Sequence, residues 1–217
     1  MKKKDIVLIG GGGHAKVVFN TLVRLNSWNI IGYTDFKDSE IRSLEYLGTD
    51  EVLKDIVKTV RTAVIAVGQI KSYKPRYNLY IKIKELGFSL PPITAKSAVI
   101  MQNVSIGDGT YIGEQVYVGP DVKIGVMDII NTGSIVEHDS QIGDFVHLSI
   151  NSTLAGNTRV GNGTFIGMGA NVSNGITIGE NVTVAAGTIV RKYTESRSLI
   201  YGNPARIIKN YNKTIIM

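Results

Sequence analysis

A chain of 217 residues, 43% apolar and 19% charged with a formal net charge of +6, has the composition of a soluble globular protein with one generous core or two modest ones. With no cysteine, disulfides, thiolate metal sites and a cysteine nucleophile are excluded; no apolar run approaches the roughly 18 to 20 residues of a membrane span, so the expectation is a cytoplasmic protein without a metal. The Lys and Arg residues are scattered with few aromatics beside them, which argues against nucleic acid as a partner and leaves anionic small molecules, such as nucleotides or a phosphorylated cofactor.

Residues 1–92 alternate strands with helices. MKKKDIVLIGGGGHAK interrupts a short apolar core with four glycines and a histidine, so it reads as a first strand and not as a signal peptide. AKVVFNTLVRL has helical spacing, NIIGYTD is a second strand, TAVIAVG a third, and RYNLYIKIKELG a second helix. This order predicts a small parallel sheet of Rossmann type, with Pro91-Pro92 as a hinge into a second domain, 93–217. Between first strand and first helix, Gly10 to Ala15 (GGGGHA) satisfies G-x-G-x-x-A, and Asp35 lies twenty residues beyond Ala15, where a dinucleotide fold places its ribose-binding acid. The sheet is too short for the two halves of a dinucleotide fold, whereas glycine amides at a helix N-terminus bind any phosphate. A nucleotide-sugar pyrophosphate is therefore the favoured ligand, with a dinucleotide and a purely structural turn as alternatives. His14 at the helix start can donate to a phosphate or cap the turn.

From Ile100 to Val190 every sixth residue is aliphatic, sixteen positions without a miss. The next residue is glycine at 107, 113, 119, 125, 143, 161, 167 and 179. Neither a helix nor a hairpin sheet has this period; short strands wound around a three-sided prism do, with glycine expected to serve the tight corners. The prediction is an all-β left-handed parallel β-helix with 18 residues per coil and about five coils. No long loop breaks the count, so anything covering a substrate must come from outside the prism.

IGGGGHAKVV followed by a hexapeptide prism with EHDSQIGDFVHLS and a terminal GNPAR resembles the bacterial left-handed β-helix sugar acyltransferases of the sialic-acid, bacillosamine and perosamine types, over nearly the whole chain. The resemblance implies an acetyl-CoA-dependent N-acetyltransferase acting on a nucleotide-linked amino sugar, or an O-acetyltransferase of a sialic-acid-like sugar. It implies His138 as general base and Asp139 as the acid orienting it, with Glu137 a competitor for that place. Acetyl-CoA contacts carry over to His147, Gly156, Met168 and Ala186, and sugar-nucleotide contacts to Gly12, Gly13, His14, Thr34, Asp35, Gly68 and Asn131. Some relatives have two acids where this chain has Thr34-Asp35.

Eighteen residues per coil make the nine-residue gap between His138 and His147 half a turn, so the two lie on different sides of one prism. They can share a pocket if neighbouring prisms pack side by side, which predicts an obligate homotrimer with three intersubunit sites. The same arithmetic sets Gly156 one coil from His138, where a missing side chain would leave room for the thioester, and Met168 one coil from Ala186, as a wall for the pantetheine arm. The expected chemistry is direct transfer in a ternary complex, a neutral imidazole taking the acceptor's proton and a backbone N–H or His147 serving the oxyanion. Arg206 and Lys192 can meet the phosphates of coenzyme A or stand as ordinary solvated charges. The opposing view is a noncatalytic β-helix scaffold or nucleotide sensor.

Overall fold

The computed structural model describes residues 3–41, 43–69 and 72–211. The chain divides into two compact units, Met1–Lys96 and Ser97–Met217, so the boundary falls four residues past Pro91-Pro92.

In the first unit four parallel strands, β1 (Lys4–Ile9), β2 (Trp28–Thr34), β3 (Tyr46–Gly48) and β4 (Ala63–Ile65), lie in the order β3-β2-β1-β4. The apolar run Ile6–Ile9 is buried because β1 is central and covered on both faces. Helix α1 (Gly13–Leu25) buries Ala15, Val18, Thr21 and Leu22, one stripe at helical spacing. It ends where Asn26 turns left-handed (φ 57°) and its N–H bonds the carbonyls of Leu22 and Val23. Helix α2 (Leu53–Ile56) and helix α3 (Lys74–Glu85) complete the unit. β3 and α2, at three and four residues, are too short to show a period and were not expected from the sequence. The chain steps from β1 to β2 to β3 on one side and crosses back to β4 on the other, so the strand order reverses between β1 and β4, a topological switch point at the end of β1 where Gly10 lies.

The second unit is a left-handed parallel β-helix. Its strands are two residues long and pair at an 18-residue step, for example Ile124 with Ile142, Ile142 with Val160 and Val160 with Ile178. One face stacks six strands, from Val99–Ile100 to Ile189–Val190; the five steps between them are the five coils expected, a rise of roughly 24 Å at about 4.8 Å each. The second residue of each strand points inward, and from Ile112 to Val190 this column is buried. Polar corners are satisfied coil to coil: the Val126 N–H donates to Asp144 Oδ1 and the Asp144 N–H to Asn162 Oδ1, both at 2.8 Å.

The expected role of the glycines needs correction. The left-handed corner residue is the third after each aliphatic, at φ 54° to 70° from Asn103 to Gly187, and it is Asn, Asp or Gly at most steps. The glycines directly after the aliphatics have no such backbone. They are required by close approach: a Cβ on Gly107, Gly125 or Gly167 would lie 2.5 to 2.6 Å from the backbone of the next coil.

After Val190 the period ends. Thr194 bridges Ile178 sixteen residues away instead of eighteen. The strand Ser198–Tyr201 continues the sheet of Thr183–Val184 and turns into an antiparallel partner, Arg206–Asn210, so the tail caps the last coil.

Candidate functional site

Each unit presents a candidate site. In the first, Gly12 is the N-cap of α1 with φ −74°, and a Cβ on Gly12 or Gly13 would meet nothing within 4 Å, so the loop's helix end faces open space. Gly11 differs: its Cβ would fall 2.6 Å from Asp35 Oδ2 and 2.7 Å from Ser39 Oγ. The Gly11 N–H donates to Asp35 Oδ2 (3.0 Å), the Ser39 hydroxyl donates to the same oxygen (2.9 Å), and the Phe36 N–H donates to Oδ1 (2.8 Å). Asp35 thus clamps the glycine loop to the end of β2. Thr34, fully buried, donates through its hydroxyl to Asp50 Oδ1 at 2.6 Å. Gly68 lies against His14, 3.6 Å from its own virtual Cβ to that of the histidine.

A cavity of about 640 Å³ opens at the C-terminal ends of β1, β2 and β4, lined by Gly10, Thr34, Asp35, Asp50, Val67 and Asn78 among others. That is where an open α/β sheet binds its ligand. A larger hollow of about 850 Å³ on the flank of α1 and β2, lined by Phe19, Trp28 and Ile41, contains none of the candidate residues; volume alone is a poor guide to chemistry here. Gly11, Ser39 and Asp50 were not anticipated. Gly11 was hidden inside a run of four glycines, and Ser39 and Asp50 carry no motif.

In the β-helix, His138 is the second residue past Val136, at the corner after the strand Ile135–Val136. It is exposed, and its Nδ1 lies 2.8 Å from Asp139 Oδ2. A carboxylate only accepts, so the shared proton sits on Nδ1 and the Nε2 lone pair of the neutral ring is left free. Asp139 is itself the left-handed corner residue, φ 59°, and of the two acids flanking His138 it is the one whose carboxylate meets the ring. The hydrogen bond to Asp139 raises the His138 pKa, a smaller desolvation effect opposes the rise, and the charges of Asp139 and Glu137 add to it. Below the ring lies Gly156, joined through the Asn157 N–H to the His138 carbonyl (2.8 Å). A Cβ on Gly156 would stand 2.4 Å from His138 Nε2 and 2.6 Å from Cε1. The missing side chain therefore makes room for the imidazole, not for an empty space beside it.

His147 belongs to a different face, in the strand His147–Leu148 between Ile129 and Phe165. It is only 7% exposed, edge-on to Phe165 at 5.1 Å, with Asn131 Nδ2 3.4 Å from its Nε2. Asn131 also accepts the Thr132 N–H at 2.8 Å. Ile150, Met168 and Ala186 follow one another coil by coil along the corner that ends the face of His147, tied by the Gly169 N–H to Ile150 and the Gly187 N–H to Met168, and all three are exposed. Thus His138, Asp139 and Gly156 come together in one protomer, while His147, Met168 and Ala186 lie elsewhere on the prism.

Comparison with known proteins follows the same division. Residues 5–80 match the PglD N-terminal domain, and residues 157–192 match the bacterial transferase hexapeptide (six repeats). The chain is similar to PerB from Caulobacter crescentus, solved in complex with CoA and GDP-perosamine, at 34% identity, covering 94% of this chain and 97% of that one with a TM-score of 0.89. A variant of perosamine N-acetyltransferase from the same organism, also with CoA and GDP-perosamine, is 33% identical over 95% of this chain and 97% of its own, TM-score 0.87. The acetyltransferase domain of PglB from Neisseria gonorrhoeae, in complex with acetyl coenzyme A, is 27% identical over 95% of this chain and 100% of its own, TM-score 0.90.

Proposed function

The chain belongs to the left-handed β-helix sugar acetyltransferases, acetyl-CoA-dependent enzymes of nucleotide sugars, and from that premise we propose that it acetylates the amine of a nucleotide-linked amino sugar with His138 as general base. The observation that carries this is the His138–Asp139 pair: an exposed imidazole whose Nδ1 is held by a carboxylate at 2.8 Å and whose ring is seated over Gly156.

The amine must lose a proton as it attacks the thioester carbonyl. Nε2 of neutral His138 takes that proton, Asp139 stabilises the imidazolium that results, and the proton then passes to the departing thiolate. Acetyl-CoA supplies the acetyl thioester. Gly156, His147, Met168 and Ala186 are the residues proposed to hold it. Transfer is direct, with no acyl-enzyme, because the base stands ready and no serine in the coil of His138 is paired with it. The first unit holds the sugar nucleotide, its diphosphate on the open amides of Gly12 and Gly13 beside His14, with Gly68 keeping the approach narrow and Thr34 and Asp35 shaping the cavity at the sheet's end.

His138 and His147 stand on separate faces of one protomer, which supports a homotrimer whose groove takes His138 from one copy and His147 from the next, with Asn131 orienting His147. Mixing inactive His138→Ala and His147→Ala chains tests this arrangement: recovery of activity in the mixed assembly supports it, and no recovery in any ratio overturns it.

The test of the function itself is thiol release from acetyl-CoA with a panel of amino-sugar nucleotides, against the His138→Ala protein. Amine-dependent release lost in the variant is expected. No release with any sugar nucleotide, or the same release from the variant, overturns the proposal and favours a scaffold.

A further inference from the structure

The prism ends in a hairpin whose outer strand has outrun the core. Ser198–Tyr201 and Arg206–Asn210 are the last two rungs of the face that holds His147–Leu148, and Arg206–Asn210 is its edge. Ile207 pairs with Ile200, yet Ile200 is 2% exposed and Ile207 is 50% exposed, so the sheet continues one strand past the residues that bury it. Ile208, the extra residue at the register shift, is 60% exposed, and Tyr201 and Tyr211 in the same segment stand out in solvent as well. A sheet edge that holds large apolar side chains in water is a contact surface.

Charge decides what kind of partner fits it. Residues 191–211 carry five basic residues against Glu195 alone, and Glu195 already accepts a hydrogen bond from Asn210 Nδ2 at 2.7 Å. Among the described residues no ion pair engages Arg197 or Lys209. Arg197, whose carbonyl takes the Tyr211 N–H at 2.8 Å, and Lys209, 4.9 Å from the centre of the Tyr211 ring, bring both charges to one tyrosine. Two such hairpins meeting end to end would repel. A second prism packed alongside offers little at this level, because residues 145–190 hold a single acid, Glu180. Isoleucines beside tyrosines and free cations suit a surface that is apolar just beneath an anionic layer.

We propose that the hairpin Ser198–Asn210 docks the protein on an anionic lipid bilayer, with Ile207 and Ile208 entering the boundary between headgroups and acyl chains while Arg197 and Lys209 meet lipid phosphates. The contact is peripheral and involves no part of the acetyl-transfer site, so neither reading falls with the other. In the threefold assembly proposed above, cyclic symmetry turns all three hairpins toward one plane, and three weak contacts to one surface add up to a firm one.

The test is flotation of the full chain with phosphatidylcholine vesicles, with and without phosphatidylglycerol. Wild type should float with the anionic vesicles about tenfold or more over the neutral ones, and less in high salt. Free glycerol phosphate should not displace it, because a dissolved headgroup gives Ile207 and Ile208 nothing to enter. Ile207→Ser/Ile208→Ser and, separately, Lys209→Glu should each cut flotation about tenfold, with thiol release in solution and the mass of the assembly unchanged. Lys209→Glu changes only an exposed charge, so it reports even if the double substitution disturbs the hairpin. No flotation with anionic vesicles, equal flotation with both kinds, or full flotation of either variant would overturn the proposal. Displacement by glycerol phosphate would overturn it in favour of a soluble phosphate ligand. A smaller assembly in the Ile207→Ser/Ile208→Ser protein would overturn it in favour of a contact between copies of this chain.

Discussion

The glycines of the two units do opposite work. In the loop before α1, side chains on Gly12 and Gly13 would project into open space; in the prism, side chains on Gly107, Gly125 or Gly167 would strike the next coil. One set leaves room for a ligand, and the other lets the backbone stack. Gly156 belongs to neither set, because what fills its missing side chain is the ring of His138. In the proposed function the prism's chemistry sits where its packing rule is broken to seat an imidazole, and the first unit is the proposed receptor.

The largest effect expected from this division is a separation of binding from chemistry. His138→Ala should lower kcat by about 10²- to 10⁴-fold, with sugar-nucleotide affinity, measured by calorimetry, unchanged. A parallel loss of nucleotide affinity would show that the units do not divide the work as described.

Next comes Gly156→Ala. Its Cβ would overlap the ring, forcing His138 off the Asp139 hydrogen bond. Since the ring is exposed and free to swing, the melting temperature should barely move, while misplacement of the base costs about 10²-fold in kcat. A large loss of stability with normal activity would mean that Gly156 is one more stacking glycine.

A third pair of substitutions addresses the glycines directly. Gly167→Ala should destabilise by about 1 to 3 kcal/mol in denaturant titrations, since backbone atoms on the adjoining coil cannot yield as a side chain can. Gly12→Ala, at φ −74° and in open space, should leave stability unchanged or raise it by about 0.5 kcal/mol, yet weaken sugar-nucleotide binding about tenfold, or about 1.4 kcal/mol. Equal stability effects at the two positions would erase the distinction.

Most of this architecture was legible in the sequence because the prism repeats: a period of six over sixteen aliphatics admits few other folds. Its phase was harder to read. The residues directly after the aliphatics drew attention as glycines, while the corner itself, occupied by Asn103, Asp121, Asp139, Asn151, Asn157 and Asn181 along with glycines, announced its left-handed backbone through an Asn/Asp/Gly preference. Gln115, Met127 and Phe145 at three of those corners blurred the signal. In the first unit, G-x-G-x-x-A marked the loop, but not that Gly11 and Ser39 would occupy the carboxylate of Asp35. Contacts between residues far apart in sequence have no period to reveal them. His138 and Gly156 were placed together only because an 18-residue step is itself a period.

The smallest effect expected is a displacement along the pH axis, and it tests the catalytic corner alone. His138 in the folded protein binds its proton more tightly than an ordinary histidine of pKa 6.5, foremost through Asp139. The base works only when neutral, so the acid limb of kcat/KM should lie above 6.5. Asp139→Asn removes both the charged acceptor and its field, so the limb should move down as kcat drops; Glu137→Gln, which acts through charge alone, should move it less. The same proton uptake favours the fold below pH 6.5 and is lost as pH rises through the raised value, but with the ring in solvent this contribution is small, so the rate profile is the measurement to make. An acid limb that stays in place in Asp139→Asn would leave the carboxylate a neighbour of the base and not its partner.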